Sequence, residues 1–260
     1  MGILTLILTV FFIVWLLGVL LVHDFQVPPL NLNRFKKVLV VFPHPDDEVL
    51  TVGGLIGLFK NQGIHTTLIT LTKGERGTPN ATLQEKLKAT RRKELLKATK
   101  ILGFNKVILE DFGDGQLEKK QKVIAKYLTH KINKLNPDAI ITYDLSGLYG
   151  HPDHISVPKV LKPILNKKYP NIRLIFVTNN KKIMRFIKLP THMAKNEQFI
   201  KHQTVPTHRV FIGHHLIGKV RALYAHQSQL TGFRKALPLF LPLWFFVSLS
   251  VIEYFHEVQS

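Results

Sequence analysis

The stretch Val38-Leu39-Val40-Val41-Phe42-Pro43-His44-Pro45-Asp46-Asp47-Glu48 decides the fold. Its first five residues form a continuous apolar run, the pattern of a strand covered on both faces. Two prolines and three consecutive acids then end the run. A buried strand breaking into a stiff polar loop, with a helix expected over Val52–Gln62, opens a parallel α/β sheet. The alternation continues outward. His65–Leu71 and Val107–Leu109 read as strands on either side of a long helix over Leu83–Leu102. That helix opposes a charged face (Lys86, Arg91, Arg92, Lys93, Glu94) to an apolar one (Leu87, Leu95, Ala98, Leu102). A helix over Lys119–Leu135, a strand at Ala139–Tyr143, a helix over Ser156–Leu165 despite Pro158 and Pro163, and a strand at Arg173–Val177 follow. His214–Gln229 again reads as helix. The expectation is a largely parallel sheet with helices on both faces, binding its ligand at the carboxyl ends of the strands.

Two polar loops stand at such strand ends. In the first, three adjacent acids repel one another unless a cation or hydrogen-bond donors compensate them. His44 and a carboxylate three residues on can converge on one metal ion; the other reading is an acidic N-cap for the following helix. The second, Gly150-His151-Pro152-Asp153-His154, follows the strand ending at Tyr143. One imidazole there could complete a His/Asp/His set with open positions for water and substrate, and the other could act as an acid or electrophile. A single loop histidine is usually an ordinary surface residue. Two such clusters at matching places in one sheet are harder to dismiss.

The composition narrows the chemistry. The 260 residues contain no Cys, which excludes disulfides, thiolate zinc sites, Fe–S clusters and a Cys nucleophile, so a metal must be held by His, Asp or Glu. Lys and Arg number 36 against 17 Asp and Glu, a formal net charge of +19, which invites nucleic acid, an anionic membrane or a polyanionic substrate. The lysines are spread along helices without interleaved aromatics and no nucleic-acid motif is present, so a module binding anionic lipid or nucleic acid is the lesser reading. Every charge lies after Ile3–Val22, an uncharged run long enough to cross a bilayer. It lacks the basic n-region and small-residue exit of a cleaved signal and reads as an anchor over residues 1–22. Arg34, Lys36 and Lys37 follow it, which places the remainder in the cytoplasm by the positive-inside rule. Residues 23–35, with Pro28-Pro29, read as a linker and residues 36–235 as one globular domain, which the resemblance given below makes the catalytic one. For residues 236–260 two readings stand: Ala236–Ile252, with Pro238, Pro242 and Trp244, is either an interfacial or re-entrant element or the last helix and strand of the core.

The paired P-H-P-D-D-E and G-H-P-D-H loops resemble those of the PIG-L/LmbE family of zinc-dependent de-N-acetylases. Residues 36–229 carry further likenesses: Thr72-Lys73-Gly74-Glu75-Arg76-Gly77, Arg91 with Glu94, Asp114-Gly115-Gln116-Leu117, Asp144-Leu145-Ser146-Gly147 and His226-Gln227-Ser228-Gln229. The late Glu253-Tyr254-Phe255 also matches, whereas Pro43 and the apolar stretch after Gln229 depart from the family pattern. The resemblance implies a Rossmann-like, LmbE-type fold behind a transmembrane helix. It also implies Zn²⁺ (or Fe²⁺ on the same ligands) bound by His44, Asp47 and His154, with Asp46 as general base. His151, held by Asp153, would stabilise the oxyanion or protonate the leaving amine. The implied substrate is an N-acetylglucosamine-type sugar, on a lipid or in a soluble conjugate. Lys73 and Arg76 could meet a phosphate or sugar, or be solvated surface cations; His226 could line the site or be a satisfied core histidine. Arg91 and Glu94 read as an ion pair within one helix.

Overall fold

In a computed structural model describing residues 2–77, 81–180, 182, 201–235 and 242–258, the run Val38–Phe42 lies in strand β1 (Lys37–Phe42). The pleat divides its side chains between two cores. Val38, Val40 and Phe42 join one cluster with Val49, Val52, Ile56, Leu95, Leu102 and Leu223, while Leu39 and Val41 join another with Ile69, Ile124, Leu128, Val157 and Leu161. The first core is covered by helices α2 (Asp47–Asn61), α3 (Ala81–Leu102) and α6 (His215–Leu223), the second by α4 (Gln121–Leu135) and α5 (Pro152–Lys168). Both faces of the sheet are therefore dry, as the unbroken apolar run requires.

Strands β2 (His65–Thr70), β3 (Lys106–Leu109), β4 (Ala139–Tyr143), β5 (Arg173–Thr178), β6 (His208–Phe211) and β7 (Ile252–Glu257) complete the sheet, in the order β3-β2-β1-β4-β5-β7-β6. The first five strands are parallel; β7 runs antiparallel to both β5 and β6. Order reverses between β1 and β4, so the crevice at their carboxyl ends is the topological switch point where such sheets bind ligands.

Three expected boundaries differ. Helix α2 starts at Asp47 rather than Val52, because Asp47 and Glu48 in a first turn are favoured by the helix dipole. Helix α5 starts at Pro152, so the second histidine loop is largely that helix's first turn, and it runs on through Pro158 and Pro163. The helix expected over His214–Gln229 ends at Leu223: His226 leaves helical geometry (φ −83°, ψ 57°) and turns its ring inward. A 3₁₀ turn at Gln227–Gln229 and helix α7 (Leu230–Lys235) follow.

Helix α1 (Gly2–Val22) is long and apolar enough to cross a membrane, with nearly all of its surface exposed. Residues 23–35 are pinned to the domain: Asp24 donates its N–H to Tyr254 Oη at 2.6 Å, Leu30 donates to Arg209 O at 2.9 Å, and Leu30 and Phe35 are buried. Of the apolar stretch 236–252, residues 236–241 lie outside the described residues. The rest forms helix α8 (Leu243–Ser248) and the start of β7.

Helix α2 must let the chain before α6 approach closely. A Cβ at Gly54 would sit 2.4 Å from side-chain atoms of Ile212, whereas one at Gly218, in α6, would meet nothing within 4 Å. Gly54→Ala should therefore destabilise the fold by about 1–3 kcal/mol through overpacking. Gly218→Ala should be neutral or gain up to about 1 kcal/mol. Denaturant unfolding of the two variants compares them directly, and equal midpoints would contradict this packing.

Candidate metal centre

The carboxyl ends of β1 and β4 bring the two histidine clusters together. His44 Nδ1 and His154 Nε2 stand 3.2 Å apart, His154 Nε2 lies 3.4 Å from Asp47 Oδ1, and His44 Nδ1 lies 3.7 Å from Asp47 Oδ2. The other nitrogens of both rings are engaged. His44 Nε2 faces Asp114 Oδ1 at 3.0 Å and Asp153 Oδ2 at 3.2 Å, and His154 Nδ1 faces the Gly147 carbonyl at 3.2 Å. Those acceptors assign the ring protons to His44 Nε2 and His154 Nδ1. The two remaining nitrogens face each other across 3.2 Å, close enough to share either a proton or a metal ion. Tetrahedral Zn²⁺ with bonds of about 2.0–2.1 Å sets its donor atoms about 3.3 Å apart; the His44 Nδ1–His154 Nε2 and His154 Nε2–Asp47 Oδ1 distances fit that spacing, while Asp47 turns its other oxygen toward His44 at 3.7 Å.

Charge gives the same answer. Burial pushes the Asp47 carboxyl up to about 7, and burial raises Asp46 against the pull of Arg91. His154 is held well below its usual range by burial and by His44 and His151 beside it. Burial also works against a proton on His44, but its hydrogen bonds to Asp114 and Asp153 prevail and hold it well above the imidazole range. A proton on His44 supplies the positive charge that these buried acids call for, and a divalent cation on the same nitrogens would supply it in the proton's place.

The neighbours orient the donors. Tyr143 Oη donates to Asp47 Oδ1 at 2.7 Å, and its ring stacks on His154 at 4.2 Å between centroids. The His44 amide donates to Asp47 Oδ2 at 2.8 Å. Asp153 accepts the Gly115 amide at 2.6 Å and the Leu117 amide at 3.1 Å. Its carboxylate thus serves His44, and it holds His151 through its backbone: the Asp153 N–H donates to His151 Nδ1 at 3.2 Å. That fixes the neutral tautomer of His151 with a proton on Nε2. One ring nitrogen of His151 lies within 4.8 Å of those of His44 and His154.

Asp46 sits in the left-handed region (φ 109°), which strains a residue with a Cβ. Two groups hold it there. Its N–H donates to Glu48 Oε2 at 3.0 Å, Arg91 donates to Asp46 Oδ2 at 2.9 Å, and the same guanidinium reaches the carbonyls of Pro45 and Gly74. Arg91 is therefore a clamp on the first loop rather than the partner of Glu94, which instead accepts the Ser228 amide (2.8 Å) and hydroxyl (2.6 Å).

The three residues expected to meet substrate separate. His226 is fully buried and pairs with Glu48 Oε1 at 2.8 Å, behind the loop rather than lining it. Lys73 pairs with Asp111 at 3.1 Å on the surface. Arg76 stands at the rim: its amide donates to Asp114 Oδ2 at 3.0 Å, and a Cβ at Gly115 (φ 70°) would sit 2.4 Å from its Nη1. Sequence reasoning singled out neither Tyr143 nor Tyr149, whose hydroxyl lies 3.4 Å from His154 Nε2, and quoted Asp114 only as part of a motif. The one signal for Tyr143 was a tyrosine ending an apolar strand.

The chain was compared with known proteins. The family model PIG-L, described as GlcNAc-PI de-N-acetylase, matches residues 39–165. A probable N-acetyl-alpha-D-glucosaminyl L-malate deacetylase 2 of Bacillus anthracis is 32% identical over 203 residues, covering 75% of this chain and 81% of its own. A 1D-myo-inositol 2-acetamido-2-deoxy-alpha-D-glucopyranoside deacetylase of Saccharomonospora viridis is 27% identical over 231 residues (75% and 85%). The solved N,N'-diacetylchitobiose deacetylase of Pyrococcus horikoshii is similar in fold, with a TM-score of 0.65, 23% identity and coverage of 91% and 87%.

If Asp114 holds His44 by its Nε2 proton, Asp114→Asn should lower affinity for a divalent metal by roughly 10–100-fold. Titration against a competing chelator measures it. Lys73→Ala, which touches only the exposed Asp111 pair, should leave that affinity unchanged.

Proposed function

Because the chain belongs to the PIG-L family of GlcNAc-PI de-N-acetylases, we propose that this centre is the active site of a zinc-dependent hydrolase acting on the N-acetyl group of an N-acetylglucosamine-type sugar. The observation that carries the reading is the opposition of His44 Nδ1 and His154 Nε2 at 3.2 Å, with Asp47 closing the triangle. These three residues hold the metal, which when bound polarises the amide carbonyl and lowers the pKa of water toward neutrality. Asp46, raised by burial and fixed by Arg91 and Glu48, takes a proton from the attacking water. Water oxygen bonds to the acetyl carbon, the C–N bond breaks, and the proton passes to the departing amine, giving acetate and a free amino sugar. His151 offers its Nε2–H to the carbonyl oxygen as negative charge grows there. Arg76 meets sugar or phosphate oxygens at the rim.

Helix α1 serves as the membrane anchor, with the catalytic domain on the cytoplasmic side where Arg34, Lys36 and Lys37 follow it. A lipid-linked sugar fits such an enzyme best. The second reading, a small GlcNAc conjugate, is favoured by the L-malate glycoside named for the similar Bacillus anthracis protein.

Acetate release from N-acetylglucosaminyl-phosphatidylinositol and from small N-acetylglucosaminides, with and without chelator, tests the reading. Activity should vanish on chelation and return with Zn²⁺. Asp46→Asn should reduce kcat by about 10²–10⁴-fold while the bound metal is retained. Unchanged turnover by that variant would remove Asp46 from the mechanism.

A further inference from the structure

Helix α1 does not meet the domain only at its last turn. Phe11, halfway along it, packs on Trp244 and Phe245 with ring centroids 5.9 and 5.5 Å away. Trp15 Nε1 donates to Ser248 O (3.2 Å) and Oγ (3.1 Å), a Cβ at Gly18 would lie 2.9 Å from Leu249 Cδ2, and Val19 and Val22 are buried in the same cluster. From Phe11 to Val22 the helix rises about 16 Å. That is roughly half of the ~30 Å hydrocarbon core a spanning helix must cross.

We propose that helix α8 is a second bilayer-embedded element, entering one leaflet clamped against α1 and holding the metal-centre end of the sheet toward the membrane surface. The inference rests on reading α1 as a membrane anchor. A straight α1 crossing over Ile3–Val22 places the Leu243–Leu249 segment, which carries no charge, beside its domain-proximal half. Two polar side chains there are satisfied within the protein, as hydrocarbon favours: Ser248 Oγ donates to Phe245 O at 2.6 Å and receives Trp15 Nε1–H. Leu243 and Val247 face the domain core, Phe245 and Leu249 face α1, and Trp244 remains 43% exposed on the outer side.

Topology fixes which end of the domain is held. Strand β7 pairs antiparallel with β5, Tyr254 opposite Thr178 and Glu257 opposite Ile175, so its first residues, joined to α8, lie at the carboxyl end of β5. Just past that end, Asn180 Nδ2 donates to Val22 O at 3.2 Å and Lys182 Nζ to His23 O at 3.1 Å. The metal centre occupies the carboxyl ends of β1 and β4 in the same sheet. Anchor and site therefore share one end, and the pinned stretch 23–35 keeps that relation fixed. Ile217 (67% exposed) is the chain neighbour of Leu216, which packs into the α1 cluster, and with Phe211 (62% exposed), the last residue of β6, it leaves apolar surface for the headgroup region on this reading.

The chain has two Trp and no Cys, which makes depth measurable. The full chain is reconstituted in phosphatidylcholine–phosphatidylserine vesicles whose acyl chains carry bromine at defined depths. In Trp15→Phe, the remaining Trp244 should be quenched by acyl-chain bromine and protected from aqueous iodide. If Trp15 is quenched in Trp244→Phe but Trp244 answers only to iodide, α8 lies outside the bilayer and the proposal falls while the anchor stands. If neither is quenched, the anchor reading itself falls. Against a folding defect in Trp15→Phe, Gly18→Cys with Leu249→Cys should form a disulfide in the vesicles, and its failure to form would overturn the clamp. For orientation, a fluorophore on Lys73→Cys, at the metal-centre end, should transfer energy to labelled lipid more efficiently than one on Lys134→Cys at the opposite end. Equal transfer would overturn it.

Discussion

The approach of two imidazole nitrogens, His44 Nδ1 and His154 Nε2, to 3.2 Å beside Asp47 is the interaction on which the rest of this structure depends. It can exist only because β1 and β4 are parallel neighbours, Val38 to Val40 opposite Ala139 to Ile141, so that the segments after them emerge side by side. The helices those segments enter, α2 and α5, leave toward opposite faces and expose their first turns to one crevice. Helix N-termini repel cations, so a metal there needs local acids to outweigh two dipoles. Asp47 and Glu48 in the first turn of α2 and Asp153 in that of α5 provide them. The residual amide dipoles then suit the negative charge that develops on a carbonyl oxygen during acyl transfer.

Such a concentration of acid must be held in shape. Asp46 in a left-handed conformation costs of order 1–3 kcal/mol, sustained by the Glu48 carboxylate on its amide and the Arg91 guanidinium across the loop. Glu48 in turn would be an uncompensated buried charge without His226, which leaves the helical path after α6 to reach it. A residue far along the chain thus acts on Asp46 through two contacts, and its motif reads as a site although its side chain never reaches the crevice.

The sheet was legible because burial writes itself as uninterrupted apolar runs, and the strands β1 to β5 fall where those runs lie. The centre was legible because histidines and acids flanked by proline followed two of them. What escaped has physical causes. Strand β6 is short and half exposed, so its four residues His208–Phe211 carry no periodicity to detect. Strand β7 shares only Ile252 with the apolar stretch before it, whose reading as a last helix and strand of the core stood beside an interfacial one, so its position was not fixed. Helix starts at Asp47 and Pro152 were masked because the residues that begin those helices are also the ones that carry the chemistry. The orienting roles of Asp114 and Tyr143 depend on contacts between segments far apart in sequence, which no local pattern encodes.

The position of the apolar helix gives the site its setting. A flexible linker would let a tethered domain sample every orientation, and the tether would then contribute only local concentration. Here residues 23–35 run along the domain through Asp24, Leu30 and Phe35, and β7, next to the edge strand β6, connects α8 into the same sheet that bears the candidate metal centre. The direction in which the crevice opens relative to α1 is thereby a property of the fold. With the basic excess confined to the part of the chain after Val22, an anionic leaflet would draw the domain against the surface. On the proposed reading of α1 as an anchor, substrate held at that surface is met without rotation of the domain, and the +19 charge, uninformative as a sum, becomes a preference for the plane in which the site lies.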